Sequence, residues 1–146
     1  MSKVVSMRLK DAQVERLDRL AHHLEKPRSE TVAQLIEEAL RLEEFPYIDF
    51  RSTDKGRDVF LEGHRITVWE LVRIARDFGE ERADLAKVVA DHLELPLPLI
   101  AGGLAYARAF PEEIEREIEA HDYSFEDLKR MLPNLEVFEF HLPRAR

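Results

Sequence analysis

The chain opens on an alternation of period two. In Lys3-Val4-Val5-Ser6-Met7-Arg8-Leu9, the side chains of Val5, Met7 and Leu9 share one face of an extended segment, and Val4, Ser6 and Arg8 share the other. From Asp11 the period becomes helical: Val14, Leu17, Leu20, Ala21 and Leu24 form one apolar stripe. Lys26-Pro27-Arg28 breaks it. Ser29 is then a good N-cap, Glu30 sits favourably in a first turn, and Val32, Leu35, Ile36, Ala39 and Leu40 carry a second helix to about Glu43. A lone strand has edges that need a hydrogen-bonding partner, and no second strand is predicted before Tyr47. The simplest solution is pairing with the same strand of a second copy across a two-fold axis. The paired ribbon would expose Val4, Ser6 and Arg8 twice on one surface.

Phe45-Pro46 ends the second helix, and Tyr47–Arg51 has the character of a short strand. Asp54-Lys55-Gly56 is a turn signal, and Val59-Phe60-Leu61 and His64-Arg65-Ile66, flanking Glu62-Gly63, suggest a small hairpin. Thr67-Val68-Trp69-Glu70 is a capping box that opens a helix with Val68, Leu71, Val72, Ile74, Ala75 and Phe78 on its apolar side. A second helix is expected near 82–92. Pro96 and Pro98 stop it and start a third, from Leu97 to about Ala109. Gly102-Gly103 inside that helix costs roughly 1 kcal/mol per glycine relative to alanine. The pair therefore signals a close approach of another helix, or a kink. Two short helices joined by a tight turn, with a third before them, suit a helix-turn-helix. Pro111 leads a further helix with Ile114 and Ile118 inward and its acids solvated. Ser124 caps a short one that Pro133 ends. The stretch from Leu135 to Leu142 is strand-like, with Phe138, Phe140 and Leu142 on one face. So apolar a terminus docks on its own body, joins a sheet of a dimer mate, or awaits a partner by strand addition.

The N-terminal residues resemble a known family. Val5-Ser6-Met7-Arg8-Leu9, then Val14-x-x-Leu17-x-x-Leu20-Ala21 and Arg28-Ser29-Glu30-Thr31-Val32, are similar to the ribbon-helix-helix family of Arc/MetJ/CopG type, over about residues 3–44. The resemblance implies a dimer whose two-stranded ribbon enters the DNA major groove. It would place Val4, Ser6 and Arg8 against base edges, with Arg8 suited to bidentate contact with guanine. It would also place Ser29 and the amides of the second helix on a phosphate, with Arg28 adding a backbone contact. The family often has Gly between its helices, where this chain has Glu25-Lys26-Pro27. The same pattern also suits a segment used only for dimerisation.

A second resemblance covers about residues 47–120. Gly56-Arg57, Leu61-x-Gly63-x-Arg65-Ile66-x-Val68-Trp69, Ala105-Tyr106-Ala107 and Pro111-Glu112-Glu113-Ile114 resemble the small helix-turn-helix domain of VapB-like antitoxins, with Gly63-His64-Arg65 in place of the family's Gly-Thr-Arg. That likeness implies a toxin–antitoxin pair. The nominal recognition helix offers only Tyr106 and Arg108 as polar readers, so a packing domain without DNA contact suits these residues equally. Trp69 reads as core and Arg65 as a structural ion-pair residue. The resemblance implies a C-terminal part that covers the toxin, a PIN-like ribonuclease, through Phe138, Phe140 and Leu142. Arg144 and Arg146 would then reach an acidic nuclease site.

Composition adjusts this picture. The 146 residues carry 22 Lys+Arg against 30 Asp+Glu, a net charge of −8 that taken whole argues against nucleic acid. The distribution reverses that: residues 1–28 carry +3 and residues 111–146 carry −5. A dimer would double the basic front to +6, a modest value that leaves specificity to base contacts or to several dimers side by side. There is no Cys, which excludes disulfides and thiolate metal sites and suits a reducing cytosol. No apolar run approaches a membrane span and no signal-peptide pattern appears. The histidines are scattered. Glu117 and His121 lie one turn apart without a third ligand, and no phosphate loop or nucleophile motif occurs.

The expected architecture is mainly α. A ribbon-helix-helix over residues 1–45 forms an intermolecular β-ribbon in a dimer. A small helical domain with a short hairpin spans 46–121, and a C-terminal helix and strand-like tail spans 122–146. The expected function is a cytoplasmic, non-enzymatic, cofactor-free antitoxin. It binds operator DNA as a homodimer or higher oligomer, represses its own operon and neutralises a toxin. The alternatives are a transcriptional regulator whose C-terminal domain senses or oligomerises, with no toxin, and a purely structural dimerisation protein.

Overall fold

The computed structural model describes residues 1–123 and 125–132. Helix α1 (Asp11–His23) starts where the apolar period starts, and its entry is fixed by the Lys10 amide donating to Gln13 Oε1 at 3.0 Å. It ends in a paired closure: Lys26 N–H donates to Ala21 O and Glu25 N–H to His22 O. Glu25 adopts φ 53°, the left-handed position that glycine usually fills after a helix. A non-glycine residue therefore makes the turn in which the family often has glycine. Helix α2 (Arg28–Glu44) begins two residues earlier than expected. Pro27 is its cap residue, with φ −59° and ψ 152°, and Ser29 lies inside the first turn without capping it. Proline has no N–H to leave unpaired at this position. Thr31 is fully buried, and its hydroxyl donates to Pro27 O at 3.0 Å.

Strands β1 (Ile48–Thr53) and β2 (Gly56–Leu61) pair antiparallel from Ile48↔Leu61 to Thr53↔Gly56. The hairpin turn is thus Asp54-Lys55, and the expected hairpin around Glu62-Gly63 does not form. There the chain makes a tight turn, with Leu61 N–H donating to Ile66 O and a single bridge at Phe60↔Thr67. Residues 64–66 are too few to add a strand, because Thr67 is already committed as the cap of helix α3 (Val68–Phe78). Its hydroxyl accepts from the Glu70 amide, while the Glu70 carboxylate accepts from the Thr67 amide at 2.9 Å. Helix α4 (Leu85–Leu93) starts later than expected, and Arg82 pairs with Asp84 before it. Helix α5 (Leu97–Ala109) matches the expected span, and α6 (Pro111–His121) buries Ile114 and Ile118 as expected. Helix α7 spans Phe125–Met131. The expected cap at Ser124, the stop at Pro133 and the strand-like stretch 135–142 lie outside the described residues.

The core forms where the hairpin, α3, α4, α5 and α6 meet. Leu61, Val68, Leu71, Val89 and Ile100 are sealed from solvent there. Helix α5 runs through it. The Gly102-Gly103 pair marks a close approach, as expected: of helix α3 and strand β2 at Gly103, and of the Pro46-Tyr47 link into β1 at Gly102. A Cβ on Gly102 would lie 2.7 Å from Pro46 O, and one on Gly103 would lie 2.6 Å from Leu61 and Leu71 methyls. The buried apolar residues of α1, Leu17 and Ala21, lie outside this core, and α1 packs on α2.

Candidate nucleic-acid interface

The first ten residues carry no secondary structure in the single chain. Their exposure is extreme for apolar side chains: Val4 97%, Val5 76%, Met7 59% and Leu9 41%. Ser6 and Arg8 are exposed beside them. The α1–α2 pair buries Leu17 and Ala21, and Val14, Leu20, Leu24, Val32 and Leu35 in part, and α2 leaves Ile36 45% and Leu40 53% exposed. Val32, Ala33, Ile36, Ala39 and Leu40 fall on one side of α2 by helical spacing. This side is opposite Glu38 and Arg41, which face the helical body. The N-terminal unit therefore has an exposed apolar segment at residues 4–9 and, beyond α1, an exposed apolar face on α2.

Arg28 and Ser29 sit at the entry of α2. The first intrahelical bond there is Thr31 N–H to Pro27 O, which leaves the amides of Arg28, Ser29 and Glu30 outside the ladder. Both residues are exposed. Arg28 is not free, however. Its guanidinium grips Asp18 with two bonds of 2.8 Å, which holds the Asp18 carboxyl below its ordinary range. This pair fastens α1 to α2, and a phosphate contact by Arg28 would have to share or displace Asp18.

The other expected reader surface is not present. Helix α5 buries Leu99, Ile100, Gly102, Gly103, Leu104 and Tyr106, so it cannot enter a groove. Tyr106 is 1% exposed, and its hydroxyl accepts from Arg41 at 2.7 Å. The outward strip of α5 carries Arg108 as its cation. The expectation of Tyr106 as a polar reader is corrected on this ground: the helix that looked too apolar to read DNA is the centre of the core. Trp69 is buried as expected and stacks on His121 with ring centroids 4.2 Å apart. Arg65 is exposed and has no ion pair among the described residues, so the structural role expected for it is also corrected.

Sequence reasoning missed the contact that joins the two units. On the second half of α2, Glu38 is buried and takes three short contacts from Arg57 of β2, the closest 2.6 Å. One turn on, Arg41 donates to both Glu113 oxygens of α6 at 2.7 and 2.9 Å, to Glu37 and to Tyr106. Its guanidinium lies 3.7 Å from the Phe110 ring centroid. The hydrogen bonds to Glu113 hold the guanidinium more firmly protonated, and they hold the Glu113 carboxyl below its usual value.

Behind the hairpin, Asp58 is half-buried. Burial raises its carboxyl above the ordinary aspartate range, against the opposing effect of the Val59 amide, which donates to it at 2.8 Å. The Trp69 indole N–H has no partner within hydrogen-bond distance, though it is near enough to Asp58 to temper that shift. His121 bonds the Glu117 carbonyl at 2.7 Å rather than joining a ligand set. Among the described residues no group of three His, Asp or Glu is placed to hold a metal, and no helix is long and apolar enough to cross a membrane. Phe138, Phe140, Leu142, Arg144 and Arg146 lie outside the described residues.

No family model matches the chain, and neither a curated protein nor a solved structure matches it significantly.

Proposed function

We propose that the protein is a dimeric DNA-binding antitoxin of ribbon-helix-helix type, whose N-terminal segments pair between two copies and present Val4, Ser6 and Arg8 to the major groove. One observation carries this reading: an alternating apolar segment lies exposed and unpaired in the same unit as an exposed apolar face of α2. Pairing the segments satisfies their backbone groups, and joining the α2 faces covers Ile36 and Leu40. The ribbon's other face is then left to polar contact, where Arg8 is the strongest base reader. Ser29 and the free amides of α2 are suited to a flanking phosphate. Repression of its own operon and capture of a ribonuclease toxin by the C-terminal region complete the reading.

The test is operator binding by the Arg8→Ala variant. Affinity falls at least roughly tenfold for each guanine contacted, while dimerisation is retained, and wild-type affinity falls steeply with salt. Unaltered binding overturns the ribbon. Co-purification with the product of a neighbouring gene separates an antitoxin from the second reading, a regulator whose helical body senses a ligand. That second reading draws on a half-open, largely apolar pocket lined by Val72, Leu104 and Ile114 in the helical body.

A further inference from the structure

Seven cations stand in residues 1–28. Among the described residues, Arg28 is the one of them with an acidic partner; Lys26, two positions before it, donates only to Gln34 Oε1, at 2.9 Å. The neutralised cation is therefore the one at the entry of α2. There the amides of Arg28, Ser29 and Glu30 lie outside the ladder, and the helix end attracts an anion.

The geometry of the pair is that of an anion held on an arginine. Nε and one terminal nitrogen of Arg28 each donate to a different Asp18 oxygen, both at 2.8 Å. A guanidinium makes the same parallel two-bond arrangement with two phosphate oxygens. While Asp18 is seated, the fork is filled and its charge is cancelled. The side chains are 58% and 46% exposed, so solvent screens the pair and a phosphate can compete for Arg28. A phosphate that wins leaves Asp18 as an unpaired acid beside it, and the repulsion offsets part of the new contact.

We infer that Asp18 withholds Arg28 from the DNA backbone. Its carboxylate fills the fork that a flanking phosphate would otherwise fill, which lowers the sequence-independent share of DNA affinity and leaves recognition to the ribbon. Asp18 is a positioning residue, acting through Arg28. The inference rests on the DNA-binding reading of the N-terminal unit and adds to it a restraint on phosphate contact.

The experiment measures binding of the full chain to a short mixed-sequence DNA duplex over a range of salt concentrations. Asp18→Asn keeps the size of the side chain and removes its charge. The variant is expected to bind roughly tenfold more tightly at low salt as a dimer, and to steepen the plot of log affinity against log salt by about 0.9 per chain. The double variant Asp18→Asn, Arg28→Gln removes both charges of a neutral pair and is expected to keep the wild-type slope. A role confined to fastening α1 on α2 gives Asp18→Asn weaker binding and no steeper slope, and that result overturns the inference. Should Asp18→Asn misfold, the wild-type chain decides: its Arg28 Nε–H resonance is expected to stay in place when duplex is added, and a saturable shift of it overturns the inference. Wild-type binding with a slope that Asp18→Asn leaves unchanged overturns the inference alone. A wild type with no salt-dependent affinity for duplex overturns the DNA-binding reading as well.

Discussion

Asp58 and Glu113 are two acids that their surroundings push in opposite directions. Arg41 holds the Glu113 carboxyl low, so its stabilising contribution is present above its ordinary value of 4.5 and is lost as pH falls through the lowered value. Burial holds Asp58 high. Its folded form binds a proton more readily than its unfolded form, so stability is fullest below the ordinary value of 3.8 and declines as pH rises through the raised one. At neutral pH the Asp58 carboxylate is therefore a cost. Asp58→Asn keeps an oxygen for the Val59 amide and removes the charge. Thermal melts are expected to show the variant more stable than wild type at pH 7, with the gain vanishing below pH 3.8. A gain that persists in acid would mean that something other than ionisation is responsible.

At the scale of elements, the tightest constraint is the seat of α5 against the Pro46-Tyr47 link into β1 and against Leu61 of β2 and Leu71 of α3. Alanine is the better helix former by about 1 kcal/mol, yet a Cβ on Gly102 meets the Pro46 carbonyl, a backbone atom that cannot swing aside. Gly102→Ala is expected to destabilise by roughly 1–3 kcal/mol, read as a lower urea midpoint with unchanged slope. This contact also shows what the sequence makes legible. The glycine pair announced a close approach, because only a missing Cβ offsets the loss of helix propensity. Helices α1, α3, α5 and α6 followed from apolar period and caps such as Thr67-Glu70. The hairpin was displaced because two turn signals, Asp54-Lys55-Gly56 and Glu62-Gly63, bracket one strand. Which turn pairs its flanks is decided by what lies beyond it: Ile48 has a core to enter, whereas Ile66 leads directly into a helix cap. The Glu38–Arg57 and Arg41–Glu113 pairs join residues 19 and 72 positions apart, and no local pattern encodes such a distance. Of the candidate interface, the alternation at residues 4–9 was legible, while the Asp18 grip on Arg28 was not.

For the whole molecule, the question is what covers the N-terminal unit. If a second copy does, the melting temperature rises with protein concentration, because association is part of folding. Leu40→Glu puts a charge into the joined faces and is expected to weaken the dimer roughly a hundredfold, seen as a monomer by sedimentation. A wild-type chain that sediments as a monomer would remove the basis for the ribbon. The net charge of −8 fits this division, since the acids gather towards the C-terminal end and leave the front basic. Helix α2 belongs to both ends of the molecule. Its first half holds α1, and its second half is clamped to the body through Glu38 and Arg41. It is a lever about 26 Å long, from 17 residues at a rise of 1.5 Å each. A tilt of about 5° at one end displaces the other by roughly 2 Å over that length. Whatever the body grips can thus be felt as a change of spacing at the N-terminal end, without any bending of the chain between them.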